Sequence, residues 1–155
     1  MAESRHLDDQ GRVRMVDVSA KSESERSATA EAKVTLSSEA AAALFTGKLP
    51  KGDALATVRI AAIGGAKRTA ELIPLCHPIP LVSLTADVER DDGGARVTVT
   101  AKSIGRTGVE MEAMTGAAVG AVTLYDMVKG IDRSAEIGPI RLLAKSGGKS
   151  GDWSR

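Results

Sequence analysis

Val82-Ser-Leu-Thr-Ala-Asp-Val-Glu-Arg-Asp91-Asp-Gly-Gly94-Ala-Arg-Val97-Thr-Val-Thr-Ala-Lys102 alternates apolar with polar residues on both sides of a Gly-Gly turn. Val82, Leu84, Ala86 and Val88 interleave with Ser83, Thr85, Asp87 and Glu89; past the turn, Val97, Val99 and Ala101 interleave with Arg96, Thr98, Thr100 and Lys102. Side chains on a strand point alternately to its two faces, so period two on both arms predicts a hairpin with one buried and one solvated face. Such a sheet takes its helices on the buried side.

Working outward, Ala30, Ala32, Val34 and Leu36 alternate with Glu31, Lys33 and Thr35, predicting a strand over 30–36. Ser37 or Ser38 caps a short helix ending near Phe45, with Gly47 as its left-handed stop. Asp53 caps a second helix on which Leu55, Val58, Ala62, Ala66, Thr69 and Leu72 recur at three- and four-residue steps until Pro74, with Gly64-Gly65 a natural place for a bend. Downstream, Thr107-x-x-Glu110 reads as a capping box opening a long helix to about Gly130, and residues 137–145 as a closing strand with Ile140, Leu142 and Ala144 on one face. A short strand over 12–19 is also expected. The order is an elaborated β-α-β-β-α-β, hence an α+β fold: a ferredoxin-like antiparallel sheet with helices packed on one face. Residues 1–11 read as a flexible arm, 12–145 as a single α+β domain and 146–155 as a flexible Gly/Lys-rich tail.

A chain of 155 residues suffices for one core. Its 21 Lys and Arg against 20 Asp and Glu leave a net charge of +1, so no global field draws it to nucleic acid or a membrane, and any anion site is local. One cysteine, Cys76, excludes an internal disulfide; with two histidines it leaves too few ligands for an ordinary zinc site, and no metal or cofactor is expected. No run approaches the ~20 apolar residues of a membrane span, and a cytoplasmic location is the simplest expectation. One Phe, one Tyr and one Trp are few large anchors, so packing must come from Ala, Val, Leu and Ile with backbones in close approach.

Four stretches carry polar residues that no element demands: Pro50-Lys51-Gly52-Asp53, Leu75-Cys76-His77-Pro78, Gly108-Val-Glu110-Met-Glu112-Ala113 and Tyr125-Asp126-Met-Val-Lys129. Each also has a plain structural reading. Lys51 suits a solvated loop, His77 between prolines braces a turn, Glu110 completes the capping box, and Asp126 with Lys129 makes a surface ion pair worth about 0.3 kcal/mol.

Together with Val16-Asp-Val-Ser-Ala-Lys21, Ala66-Lys-Arg-Thr-Ala-Glu-Leu-Ile-Pro-Leu-Cys-His-Pro78 and Ile137-Gly-Pro-Ile-Arg-Leu-Leu-Ala-Lys-Ser-Gly-Gly-Lys-Ser-Gly-Asp152, these stretches form six ordered motifs between about residues 15 and 153. The set resembles the molybdenum cofactor biosynthesis protein C family; the chain departs from it in the N-terminal arm, at Gly64-Gly65 and between Ile131 and Glu136. The resemblance implies an enzyme that rearranges a GTP-derived cyclic nucleotide, 3′,8-cyclo-7,8-dihydro-GTP, to cyclic pyranopterin monophosphate with loss of pyrophosphate. It implies catalytic positions for Lys51, Asp126 and Lys129, the two lysines in acid/base chemistry. Leu75, Cys76, His77, Glu110, Met111 and Glu112 match substrate-binding positions, His77 and Glu112 orienting the pterin-forming part. Lys21, Arg26, Lys67, Arg68, Lys145 and Lys149 are the implied phosphate ligands, since a triphosphate's charge calls for several Lys and Arg donors. A lysine suits proton transfer when desolvation or a nearby cation lowers its pKa. Cys76 is a neighbour of the site, because nothing activates it as a thiolate. A homo-oligomer is implied, a hexamer built as a trimer of dimers with sites shared between subunits.

Spacing bears on that sharing. Glu112 and Asp126 are 14 residues apart, about 21 Å along a helix, too far for one small site in one chain. Between them Ala113, Gly116, Ala117, Gly120 and Ala121 form a small-residue stripe. Two such helices crossing antiparallel near residue 119 bring Glu112 of one to Asp126 of the other. Packing of the stripe on the chain's own sheet is the alternative.

Other signals fail. Gly148-Lys149-Ser150 lacks the P-loop's leading glycine, since Leu143 stands there, and no following helix remains. A ferredoxin-like RNA-binding module needs sheet aromatics for stacking, and the hairpin has none. A non-catalytic nucleotide sensor using the same lysines is the main rival, separated from the enzyme by turnover.

Overall fold

The computed structural model describes residues 6–155, so the first five residues of the expected arm lie outside the described residues. Along the chain run β1 (Ser24–Thr35), α1 (Ser38–Phe45), α2 (Ala54–Lys67), α3 (Thr69–Leu72), β2 (Leu81–Asp91), β3 (Gly94–Gly105), α4 (Glu110–Val128), β4 (Glu136–Ser146) and β5 (Trp153–Ser154). The sheet order is β2-β3-β1-β4-β5 with every neighbouring pair antiparallel, which apart from β5 is the ferredoxin-like arrangement.

Period two builds the floor of the core. On β1 the buried Ala28, Ala30, Ala32 and Val34 face the same way as their partners Ala101, Val99, Val97 and Ala95 on β3. Small side chains here let α4 lie close. An added Cβ at Gly116 would stand 3.0 Å from the Ala62 carbonyl oxygen and 3.1 Å from Val99, and one at Gly120 would stand 2.9 Å from Val97. Because Ala66 borders Gly116 while Val58 borders Gly120, α2 and α4 run antiparallel side by side. The start of α2 therefore meets the end of α4.

The opposite sheet face is polar, with Thr29 and Thr100 hydroxyls bonded at 2.9 Å. Glu31, also on this face, is buried and neutralised by Arg141 at 2.7 Å and Arg96 at 3.8 Å, as a desolvated carboxylate must be.

Several expectations change. The small-residue stripe of α4 is consumed by the chain's own α2 and sheet and is not a free crossing surface. Residues 12–19 form no strand: Asp8 accepts the Gln10 and Arg12 amides in a local turn, one bridge joins Leu7 to Val13, and Val13 and Met15 stay exposed without a core to enter. The helix expected to run to Leu72 is divided: α2 passes through Gly64-Gly65 and ends at Lys67, and α3 follows Arg68. Val109 is the N-cap of α4 and no side chain caps it, so the Thr107–Glu110 box is not made. A bulge between Thr29 and Ala30 pairs Ala144 with Thr29 and turns it from the face of Leu142. A second irregularity, at Leu81/Ser83, leaves Val82 exposed. At the C-terminus, Trp153 and Ser154 pair with Lys145 and Ala144.

The two adjacent glycines of α2 make a test. A Cβ at Gly64 meets nothing, whereas one at Gly65 would stand 2.7 Å from Val119 Cβ. Gly64→Ala is expected to stabilise by about 0.5–1 kcal/mol through helix propensity. Gly65→Ala should destabilise by about 1–3 kcal/mol through overpacking. Denaturant midpoints of the two variants must move in opposite directions.

Candidate functional site

The antiparallel seating of α2 on α4 creates a first cluster. Lys51, in the loop preceding α2, donates to the Asp126 carboxylate at 2.7 Å and to the Asp126 carbonyl at 2.8 Å. Lys129, one turn on from Asp126, reaches the other carboxylate oxygen at 2.7 Å. Lys129 first, then Lys51, holds the Asp126 carboxyl down at about 2. Asp126 in turn raises the Lys129 ammonium above its ordinary range. This is the reverse of the lowered lysine expected from desolvation: all three side chains are about half exposed and the carboxylate dominates.

A second cluster lies at the other end of α4. A cavity of about 520 Å³ is lined by Val16, Val18, Lys21, Leu75, Cys76, His77, Glu110, Met111 and Glu112, with His6, Ile79, Thr107 and Gly108. Pro74, Pro78 and Pro80 punctuate the segment that presents Leu75–His77, denying it helix or ladder bonds. His77 Nε2 lies 2.7 Å from the Val16 carbonyl, which can only accept. That bond places a proton on Nε2 and turns the Nδ1 edge of the ring away from the Val16 carbonyl.

Glu112 is the most constrained group here. It is 3% exposed, and its Oε2 has no hydrogen-bond partner. Burial, with the Glu110 charge adding to it, pushes the carboxyl up to about 7, against the pull of its own backbone amide. Burial and the neighbouring Glu112 also raise the Cys76 thiol, which keeps it from acting as a thiolate nucleophile.

A third space adjoins the second, sharing Lys21, Thr107, Gly108 and Glu110 with it. This cavity of about 790 Å³ gathers Lys21, Arg26, Arg106, Lys145 and Lys149 together with the carboxylate of Glu110. Arg26 Nε donates to the Gly105 carbonyl at 2.9 Å. Gly148 is at positive φ, and an added Cβ would run into the Arg26 guanidinium, so only glycine lets the loop after β4 cover that arginine. Lys145 bonds Ser150 Oγ, and Asp152 accepts the Gly147 amide at 3.1 Å, closing the loop toward β5.

The structure thus brings Lys21, Arg26, Lys145 and Lys149 to one cavity and Leu75, Cys76, His77, Glu110, Met111 and Glu112 to its neighbour. Lys51, Asp126 and Lys129 stand apart at the far end of α4, and Lys67 and Arg68, exposed at the end of α2, line neither cavity. Arg106 was missed by the sequence reading. Its signal was adjacency: it immediately precedes Thr107-Gly-Val-Glu in the link between β3 and α4. Among the described residues, no three His, Cys, Asp or Glu side chains converge as a metal site, and no helix is long and apolar enough to cross a membrane.

Comparison with known proteins adds a separate line. The MoaC family model matches residues 15–148. The chain is 51% identical over 154 residues to a cyclic pyranopterin monophosphate synthase of Corynebacterium efficiens, covering 99% of both proteins. It is 50% identical over 151 residues to the protein of that name from Brucella ovis, covering 96% of this chain and 92% of that one. With the Corynebacterium glutamicum protein of that name it shares 49% over 154 residues, 99% of each.

The raised Glu112 carboxyl has a signed consequence. Between its ordinary 4.5 and about 7, the folded state holds a proton that the unfolded state has released. Its contribution is therefore complete below 4.5 and is lost as pH rises through about 7. Glu112→Gln cannot ionise. The stability difference, wild type minus Glu112→Gln, should fall as pH is raised across that window; a flat difference from parallel urea titrations would refute the buried neutral acid.

Proposed function

The chain belongs to the MoaC family, and on that premise we propose that it is a cyclic pyranopterin monophosphate synthase, a lyase of molybdenum cofactor biosynthesis. Its substrate is 3′,8-cyclo-7,8-dihydro-GTP and its products are cyclic pyranopterin monophosphate and pyrophosphate. The observation that carries this reading is the two-ended groove: a cavity lined by His77 and the buried Glu112 acid adjoins, through shared Lys21, Thr107, Gly108 and Glu110, one lined also by Arg26, Arg106, Lys145 and Lys149. The first suits the hydrogen-bonding edge of a purine-derived ring, the second a triphosphate.

In this reading Lys21, Arg26, Arg106, Lys145 and Lys149 hold the phosphates. As a substrate hydroxyl displaces pyrophosphate from the α-phosphorus, negative charge grows on the leaving oxygen, and fixed cations stabilise it. The ring rearrangement needs protons delivered and withdrawn. Lys129, kept protonated by Asp126, is the donor, Lys51 is its partner in proton transfer, and Asp126 orients both ammonium groups.

The donors and the groove lie at opposite ends of α4, so the working site is shared between two chains. The face of α4 left free by the chain's own packing carries exposed Met111 and Val122, with Met114 and Ala118 between them. Two such faces crossing antiparallel near residue 119 bring Glu112 of one copy toward Asp126 of the other. Three dimers of this kind make a hexamer, acting in the cytoplasm.

Lys51→Ala and Lys129→Ala are each expected to abolish turnover with folding intact, and arginine should rescue neither, since guanidinium does not release its proton. A fully active Lys51→Arg variant would reduce the role to simple charge. Sharing makes its own forecast: Glu112→Ala and Asp126→Ala chains, inactive alone, should recover about a quarter of wild-type activity when mixed and reassembled, because half the dimers are mixed and each has one intact site of two. No recovery, with subunit exchange verified, would return the site to a single chain.

A further inference from the structure

Glu110 is an acid in the wrong company. Among the described residues it is the one carboxylate lining the cationic cavity, and it also lines the neighbouring one, so it stands at their junction. With the capping box unmade, its side chain serves no helix bond; it folds back over Gly108, where an added Cβ would collide with the carboxylate. From there it reaches Lys145 at 3.6 Å, an ion pair too long for a hydrogen bond.

Lys145 has a second partner. Its side chain is 18% exposed, and its ammonium donates to Ser150 Oγ in the loop that closes over Arg26. A lysine side chain this little exposed is stabilised by a counter-anion, and Glu110 supplies one loosely from a side chain 33% exposed. A phosphate oxygen offers the same charge with shorter, directed hydrogen bonds. The two anions compete for one cation, and they repel one another across the same junction.

We propose that Glu110 is a placeholder anion: its carboxylate keeps Lys145 and the cationic cavity organised while the groove is empty, and the substrate's phosphate displaces it on binding. This rests on the reading of that cavity as the phosphate end. The same competition works in reverse after reaction, when Glu110 returns to Lys145 and loosens the hold on the released pyrophosphate. Glu110 is then a residue that sets phosphate affinity and product release, and not a ligand of the substrate.

The test is calorimetric titration of the full-length chain with inorganic pyrophosphate. Wild type should bind, and Arg106→Ala or Lys149→Ala should weaken binding. Glu110→Gln, which keeps the shape and removes the charge, should tighten binding by roughly three- to tenfold and lower the product-inhibition constant of pyrophosphate in parallel. The gain must vanish when Glu110→Gln is combined with Lys145→Ala, because displacement acts through that lysine. A gain that survives in the Lys145→Ala background would be long-range repulsion and would overturn the displacement. Unchanged or weaker binding in Glu110→Gln would overturn it as well, weaker binding marking Glu110 as a ligand. Absence of pyrophosphate binding by the wild type is a different failure: it would remove the phosphate-end reading and the inference with it.

Discussion

The seating of α4 on α2 and on the floor of β1 and β3 is the constraint from which the rest follows. With three aromatic residues in the whole chain, the core cannot be filled by large side chains and must be closed by backbone approach. Gly116 and Gly120 let α4 press against Ala62, Val97 and Val99, and Gly65 accepts Val119 from the other side. Glycine inside a helix costs about 1 kcal/mol relative to alanine, which close packing offsets here. A rod so held has fixed ends. One end presents Met111 and Glu112 to the groove, and the other holds Asp126 between two lysines.

Electrostatics then divides those ends by environment. Asp126, half exposed and flanked by ammonium groups, is an anion at any physiological pH. Glu112, on the same helix but buried beside an apolar thiol and another acid, keeps its proton to about 7. Two carboxyls of nearly equal intrinsic acidity thus differ in state, one an anion fixed between two ammonium groups and the other a buried acid that holds its proton. With a net charge of +1, five cations in one cavity are a local concentration: attraction for an anion is confined to the groove and does not spread over the surface.

Glycine does a second kind of work in the loop after β4. Gly147 and Gly148, both at positive φ, bring the backbone onto Glu25 and the Arg26 guanidinium, so the loop is laid against the start of β1. The register shift at Thr29/Ala30 adds to this: beyond it, Lys145 pairs with Ala28 and directs its ammonium toward Glu110 and the cavity. Without that shift every residue past that point would face the opposite way, and Lys145 would point to the polar face of the sheet.

Much of this was legible in the chain itself, because it depends on local pattern. Period two marked β1, β2, β3 and β4 up to Leu142; of Ser37 and Ser38 it is Ser37 that caps α1, and Asp53 caps α2, their oxygens accepting the Ala40 and Ala56 amides. The 14-residue interval between Glu112 and Asp126 separated them before any coordinates, since helix rise is constant. What pattern could not supply was anything decided by which surface meets which. Small residues favour close approach but do not name the partner, so only the tertiary structure assigned the Gly116–Gly120 stripe to α2 and β3. Val13 and Met15 fit a strand by alternation yet have no sheet neighbour to complete one. Arg106 joined the cations through the turn between β3 and α4, and the Lys129 ammonium was raised, not lowered, because Asp126 lies within hydrogen-bond reach. Hydrogen bonds and burial depend on distances between residues far apart in the chain, and only the folded arrangement of those residues sets such distances.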